Sequence, residues 1–290
     1  MLNDYRIRVA PLGAFASLLL LLAGARAMTS SVGAANEDAT PSCGRFAEFD
    51  PSDFSDATNI DNEWSPMVPG TQMILEGVAD DAPHSVVSTV TDLTKVINGV
   101  RTVVILETDL SDGEVVESEL AFKAQDDDGN VWNLGEYPEE YEDGEFVGAP
   151  STWIAGVGDA EGGLLMQAEP REGTGYVLQG WVPSIDFLDC AKVFSTGQEA
   201  CVPLSCYENV LVTDERSPLE PSEGHQRKFY ASGVGNIAIG ATGSSGEVLE
   251  LVDVKQLSPG ELAKVHRDAL KLEKRAYSVS DVYGETPPAK

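Results

Sequence analysis

Four tight-turn dipeptides constrain this chain more than any other feature. Asn98-Gly99, Asp112-Gly113, Asp128-Gly129 and Asp143-Gly144 follow one another at intervals of 14, 16 and 15 residues. Asn-Gly and Asp-Gly supply the φ > 0 positions that short hairpin turns require. The runs around them, 71–78, 85–97, 100–110, 114–125, 130–135 and 145–147, are β-type in composition. Within 119–124, Leu120 and Phe122 alternate with Glu119 and Lys123. One face of such a sheet belongs to a core and the other to water. Strand character returns at 207–215, 226–231, 235–241 and 246–257. The expected fold is mainly β, an antiparallel meander forming a curved sheet or half-barrel. Between 148 and 206, Gly and Pro interrupt every run. There 151–155 and 175–182 read as strands and 162–168 as a helical turn.

The tail changes period. Ser258-Pro259-Gly260-Glu261 is a capping box with proline at the first helical position. Leu262, Val265, Ala269, Leu272 and Ala276 then recur at helical spacing. Lys255, Lys264, Arg267, Lys271, Lys274 and Arg275 concentrate positive charge here. Such a C-terminal α-helix is either a docking element for an acidic partner or an amphipathic helix laid on the chain's own acidic sheet.

The first 27 residues read as a signal peptide. Arg6 and Arg8 precede an apolar run at 9–24, and Ala25-Arg26-Ala27 is a small-x-small cleavage site. The chain therefore divides into a signal peptide (1–27), a flexible linker (28–45), a β-rich domain (46–257) and a C-terminal helix and tail (258–290). A secreted or periplasmic location follows. No later segment reaches 18 apolar residues, so no membrane span is expected in the mature chain. The four cysteines, Cys43, Cys190, Cys201 and Cys206, all lie beyond residue 27. An even count in an oxidising compartment favours two disulfides. Of the three pairings, Cys201–Cys206 as a local loop with Cys43–Cys190 as an N-terminal tie is preferred.

Formal net charge is −29 from 19 Lys+Arg and 48 Asp+Glu. Removing 1–27 takes away three Arg and one Asp, leaving 16 − 47 = −31. Such an anion does not seek phosphate backbones, which excludes nucleic acid as a partner. A 42% hydrophobic composition with four Trp, eight Tyr and nine Phe excludes disorder.

Several segments together resemble an uncharacterised family of secreted bacterial all-β proteins. They are Ile60-Asp61-Asn62-x-Trp64-x-Pro66-Met67-x-Pro69-Gly70-Thr71, Ala124-Gln125-Asp126-x-Asp128-Gly129-Asn130-Val131-Trp132-x-Leu134-Gly135-Glu136, Glu208-Asn209-Val210-Leu211, Pro218-Leu219-Glu220-Pro221 and Phe229-Tyr230-x-x-Gly233-Val234-Gly235. The resemblance covers about 46–257 and implies an all-β periplasmic or surface protein. The family carries no assigned activity. The cysteines and the strong acidity depart from its pattern, so the disulfide expectation draws nothing from it. The meander is loosely similar to the half-barrels of bacterial lipoprotein carriers, at the level of fold alone.

The candidate chemistry is sparse. Asp126, Asp128 and Asn130 surround a turn glycine and are candidate Ca²⁺ ligands, because a hard cation takes six to eight oxygens. The competing reading is a turn whose Asp and Asn bond their own backbone. Asp50, Asp53, Asp56 and Asp61 form a second acidic stretch. A sheet curved around Trp64, Trp132, Trp153, Trp181 and Tyr230 would offer an apolar or carbohydrate groove. The leading expectation is a binding protein for an unidentified small molecule or glycan. One alternative is a carbohydrate-active hydrolase or lyase, with or without calcium assistance, using His225 or Glu136. Another is a surface or assembly protein with no small ligand.

Overall fold

The computed structural model describes residues 43–44, 47–79, 81–221, 224–242 and 246–290. The expected signal peptide lies outside the described residues, as does the expected linker except for Cys43 and Gly44.

The first five strands form a continuous meander: β1 (Thr71–Ala79), β2 (Ala82–Ile97), β3 (Val100–Ser111), β4 (Glu114–Gln125) and β5 (Val131–Glu142). Two short strands follow, β6 (Glu145–Gly148) and β7 (Trp153–Ile154). The chain then continues through β8 (Glu161–Met166), β9 (Val177–Val182), β10 (Phe187–Cys201), β11 (Cys206–Arg216), β12 (His225–Ala231), β13 (Gly235–Thr242) and β14 (Val248–Gln256). Every pairing is antiparallel. β14 returns to β1, while β5 pairs with β4 on one edge and β8 on the other. The expected curved sheet therefore runs on to full closure as a 12-stranded barrel. Closure leaves no unpaired edge in the ring. β7 and β6 continue the β8 edge of β5, at Gly135–Glu136 and Glu140–Glu142.

Three of the four turn dipeptides behave as expected. Asn98 and Gly99 have φ 47° and 84°, Asp112 and Gly113 51° and 82°, and Asp143 and Gly144 51° and 77°. Both central residues are left-handed, as a twist-matched two-residue hairpin demands. The third dipeptide differs. Only Gly129 has positive φ there, and five residues, 126–130, join β4 to β5. The segment 162–168 holds most of a strand, β8 (Glu161–Met166), and not a helical turn. Gly162 and Gly163 are the reason: a Cβ on Gly163 would collide with the Leu178 carbonyl, and one on Gly162 would lie 2.7 Å from the Asn133 carbonyl. The pair lets β5 and β9 flank β8 closely. β10 has no regular alternation in its sequence, because register shifts between Val193 and Ala200 break it.

The alternation at 119–124 is real, but its two faces are the reverse of a simple core-and-solvent sheet. Leu120 and Phe122 face outward and pack with Ala269, Leu272, Ala276 and Tyr283. Glu119, Ala121 and Lys123 face the lumen.

The outward apolar wall is covered by α1 (Pro259–Val279) and α2 (Asp281–Gly284). α1 begins at the expected capping box, Ser258 with Glu261. Its buried stripe is Ala269, Leu272, Glu273 and Ala276. The contact is locked by Lys95 of β2, only 1% exposed. Its Nζ donates to Glu273 Oε1 at 2.9 Å, Tyr277 Oη at 2.9 Å and the Pro287 carbonyl at 2.7 Å. It also lies 4.3 Å from the Tyr283 ring centre. Next to it, Lys290 exchanges two backbone hydrogen bonds with Thr94. Of the helix cations, Arg275 reaches the buried Glu139 of β5 at 3.1 Å, whereas Lys264 and Lys271 pair with Asp268 of the helix itself. The helix is thus laid on the chain's own sheet.

Both disulfides join the pairs expected. Cys201–Cys206 closes the β10–β11 hairpin, and Cys43–Cys190 ties the N-terminal segment to β10 beside Leu178 and Leu188.

Breaking a buried ion pair strands the remaining charge, at a cost of about 3–5 kcal/mol. Lys95→Ala and Glu273→Ala should each lower stability by that order in urea denaturation. The double variant Lys95→Met/Glu273→Leu should recover most of the loss. An unchanged midpoint in either single variant would remove the clamp from the account.

Candidate functional site: the barrel lumen

Period-2 alternation in a closed ring gives every strand one face that looks inward. Eleven of the twelve ring strands, all but β14, line a cavity of about 330 Å³ with those faces. One end is stopped by the segment preceding β1. Ile60 bridges to Met67, and Ile60, Trp64 and Met67 pack on the inward residues Val103, Ile105, Ala121 and Tyr230. Asn62 fixes this plug. It is 5% exposed, and its Nδ2 donates to the Gly129 and Gln167 carbonyls at 2.9 and 3.2 Å. Its Oδ1 accepts from the Trp64 and Ser65 amides, and its own amide donates to Gln125 Oε1. The Gly233 amide donates to the Glu63 carbonyl at 2.8 Å. The segments at 60–71, 124–136 and 229–235 thus converge on the plug.

The lumen is apolar beside the plug and acidic further along. The inward sequence on β3 is Val103, Ile105, Glu107, Asp109, and that on β4, read in reverse, is Lys123, Ala121, Glu119, Glu117. These residues stand directly opposite in register, so Glu107 faces Glu119 and Asp109 faces Glu117. Like charges opposed across a strand pair repel. Glu136, Asp189 and Glu215 complete the acidic lining, with Lys123 and Lys228 as the cations. Lys123 Nζ lies 3.2 Å from Glu136 Oε1, and Lys228 Nζ 2.8 Å from Glu215 Oε2.

These surroundings dictate protonation. Burial, reinforced by Glu107, Glu117 and Glu247, pushes Asp109 up to about 8. Burial with Glu107, Glu136 and Glu140 pushes Glu117 up to about 7. Glu119 stands well above the carboxylate range for the same reasons, burial first and then Glu136 and Glu107. Asp189 rises to about 7, chiefly through burial and Glu136. Glu136 is the exception. Burial pushes it up, yet the Lys123 ammonium and hydrogen bonds from Asn133, Lys123 and Trp153 hold it below the usual range. Lys228 is held above its usual range by Glu215, against the effect of burial.

A second cavity of about 420 Å³ adjoins the lumen and shares Asp189, Glu215 and Lys228 with it. His225 lines this outer cavity. Its Nδ1 lies 3.1 Å from Asp214 Oδ2, which also accepts from Tyr176 Oη at 2.7 Å. Burial raises Asp214, but the Tyr176 and His225 hydrogen bonds outweigh it and hold the carboxyl low. His225 and Glu136 therefore sit in adjoining cavities rather than in one catalytic cluster.

The expected aromatic set does not converge. Tyr230 alone of the five lines the lumen cavity. Trp132 packs edge-on against Phe49 and Phe54, at 5.5 and 5.9 Å, and donates to Asp126 Oδ2. Trp153 is 1% exposed, stacks on Phe187 and donates to Glu136 Oε2 at 3.2 Å. Trp181 sits beside the Cys43–Cys190 bridge, and Trp64 in the plug. Their large apolar surfaces serve packing.

The acidic turn is organised by its own hydrogen bonds. Asp126 Oδ1 accepts from the amides of Asp128 and Asn130, and Oδ2 from Asn130 Nδ2 and Trp132 Nε1. Asp127 accepts from Ser55, which brings the two acidic stretches together around a cavity of about 300 Å³. Asp126 fits a self-bonded turn, and among the described residues no group of three His, Cys, Asp or Glu has a metal-holding arrangement. Nor, among them, is any helix long and apolar enough to cross a membrane.

No family model and no curated protein matches this chain. Two solved structures are similar in part. One is a presumed exported protein with a YmcC-like fold from Bacteroides fragilis NCTC 9343, with 14% identity and a TM-score of 0.38 over 67% of this chain and 99% of that one. The other is a presumed lipoprotein from Parabacteroides distasonis ATCC 8503, with 12% identity and a TM-score of 0.38 over 67% of this chain and 100% of that one.

The raised carboxylates give a signed pH dependence. A folded-state pKa above the unfolded one means that the native state holds protons which the unfolded chain has released. That stability is complete below the unfolded values near 4 and is lost as pH rises through about 7 to 8. Tm should fall between pH 5 and pH 9, and Glu119→Gln should flatten the fall. A level profile in the wild type would contradict the assignment.

Proposed function

We propose that the chain is an exported, disulfide-bonded binding protein that holds one small molecule inside the barrel. The observation that carries this reading is the lumen cavity, of about 330 Å³ and lined by inward residues of nearly every ring strand. That volume is at the lower end of those that enclose a small organic ligand. The adjoining outer cavity, which shares Asp189, Glu215 and Lys228, supplies a route in. The leader pattern of 1–27 and the two disulfides support export to an oxidising compartment. Binding is favoured over hydrolysis because the Glu136 carboxylate is engaged by Lys123, Asn133 and Trp153.

Ala121 faces the cavity from the middle of β4, so Ala121→Phe fills it from within. A thermal-shift panel of apolar, sugar and charged small molecules should contain members that raise Tm of the wild type. Those shifts should vanish in Ala121→Phe, with its circular dichroism preserved. A panel that moves no Tm, or shifts that survive the filled lumen, would refute binding there.

A further inference from the structure

We propose that the lumen takes an organic cation, a protonated amine carried on an apolar carbon body. This rests on the reading of the lumen as a binding site and names its ligand class.

The first support is a charge imbalance within one cavity. Five carboxylates line the cavity against two ammonium groups, and each ammonium is already committed, Lys123 to Glu136 and Lys228 to Glu215. Glu107, Glu119 and Asp189 have no ion-pair partner among the described residues. Glu107 and Glu119 are moreover held in register across β3 and β4. A sheet that opposes like charges inside a closed barrel is less stable for it. Glu119 relieves that repulsion by holding its proton while the cavity is empty, and a positive ligand lying over the pair replaces that proton as the counter-charge.

The second support is independent of charge. Asn236 also lines the cavity, and its Oδ1 is buried with no hydrogen-bond partner. An orphaned buried acceptor calls for a donor. Ionised carboxylates are acceptors only, and an ammonium group is a donor only. A protonated amine thus meets the Asn236 acceptor and, once Glu119 and Asp189 give up their protons, their carboxylates as well.

The size of the cation follows from spacing. Among the described residues no three carboxylates close on a point as metal ligands do. They border a volume, which suits an organic ion rather than a bare metal. Met73, Leu75, Ile105 and Ile239 line the same cavity and receive a hydrocarbon body. A glycan is a poorer match, because of the aromatic candidates only Tyr230 is present to stack on a sugar ring.

The test uses the oxidised chain from residue 28 onward and three probes of one shape: 1-hexylamine, 1-hexanol and hexanoate. Isothermal titration at pH 7 and 0.15 M salt screens binding to the acidic exterior. Hexylammonium should bind at least about tenfold more tightly than hexanol, which is about 1.4 kcal/mol, and hexanoate should be weakest. The isosteric double variant Glu119→Gln/Asp189→Asn should erase the preference for the amine while leaving hexanol affinity unchanged. If that variant fails to fold, the wild-type series decides alone. Hexanol binding as tightly as hexylammonium, or hexanoate more tightly, overturns the cation and leaves lumen binding standing. Hexylammonium binding that persists in Ala121→Phe belongs to the outer surface and also overturns the proposal. A wild type that binds none of the three overturns both this inference and the reading beneath it.

Discussion

Closure of the ring is the constraint on which everything else depends. Once β14 pairs with β1 and β8 with β5, each strand has one inward and one outward face, and alternation decides which residue occupies which. On β3 and β4 the carboxylates are assigned to the inside. Leu120 and Phe122 are then assigned to the outside, where they need a cover. α1 and α2 are that cover. The Lys95–Glu273 pair follows from the same arrangement, since a cation on the outer wall of β2 is buried as soon as the helix lands on it. Its three hydrogen bonds and its position over the Tyr283 ring offset the desolvation that such burial costs.

The interior is graded along the barrel axis. Beside the plug, Ile60, Val103, Ile105 and Tyr230 form an ordinary apolar core. Beyond it the same strands carry Glu107, Asp109, Glu117 and Glu119. The plug is tied by the Asn62 network and by the hydrogen bond from the Gly233 amide to the Glu63 carbonyl. The apolar end is therefore the fixed end, and exchange with solvent belongs to the acidic end.

Much of the fold was legible in local chemistry. Asn98-Gly99, Asp112-Gly113 and Asp143-Gly144 announced their hairpins because a two-residue turn depends only on the two residues in it. The capping box at Ser258 was legible for the same reason. β8 was not, because Gly162 and Gly163 are required by the backbones of β5 and β9, which lie far away in sequence. β10 was hidden by its bulges. The site was the least legible part. Glu119 and Lys123 looked like a solvated face, since a lumen and an outer surface leave the same alternation. Only the register of β3 against β4 brings Glu107 to Glu119, and register is a tertiary property. The tryptophans misled for the converse reason: aromatic strand residues suit a groove and a packed wall equally well.

The pairing of β1 with β14 carries a consequence for how the molecule comes into being. Thr71 is bonded beside Gln256, so the two ends of the ring are among its most distant parts along the chain. Contacts of such long range form slowly. No closed barrel exists until residue 256 has been made available. Until then the meander presents two open edges, at β1 and at whichever strand has most recently formed, each a template for pairing with another chain. The repulsion of the inward carboxylates is weakest while they are still hydrated, and it grows as the ring shuts. Assembly therefore meets its electrostatic resistance last, at the step that makes the lumen.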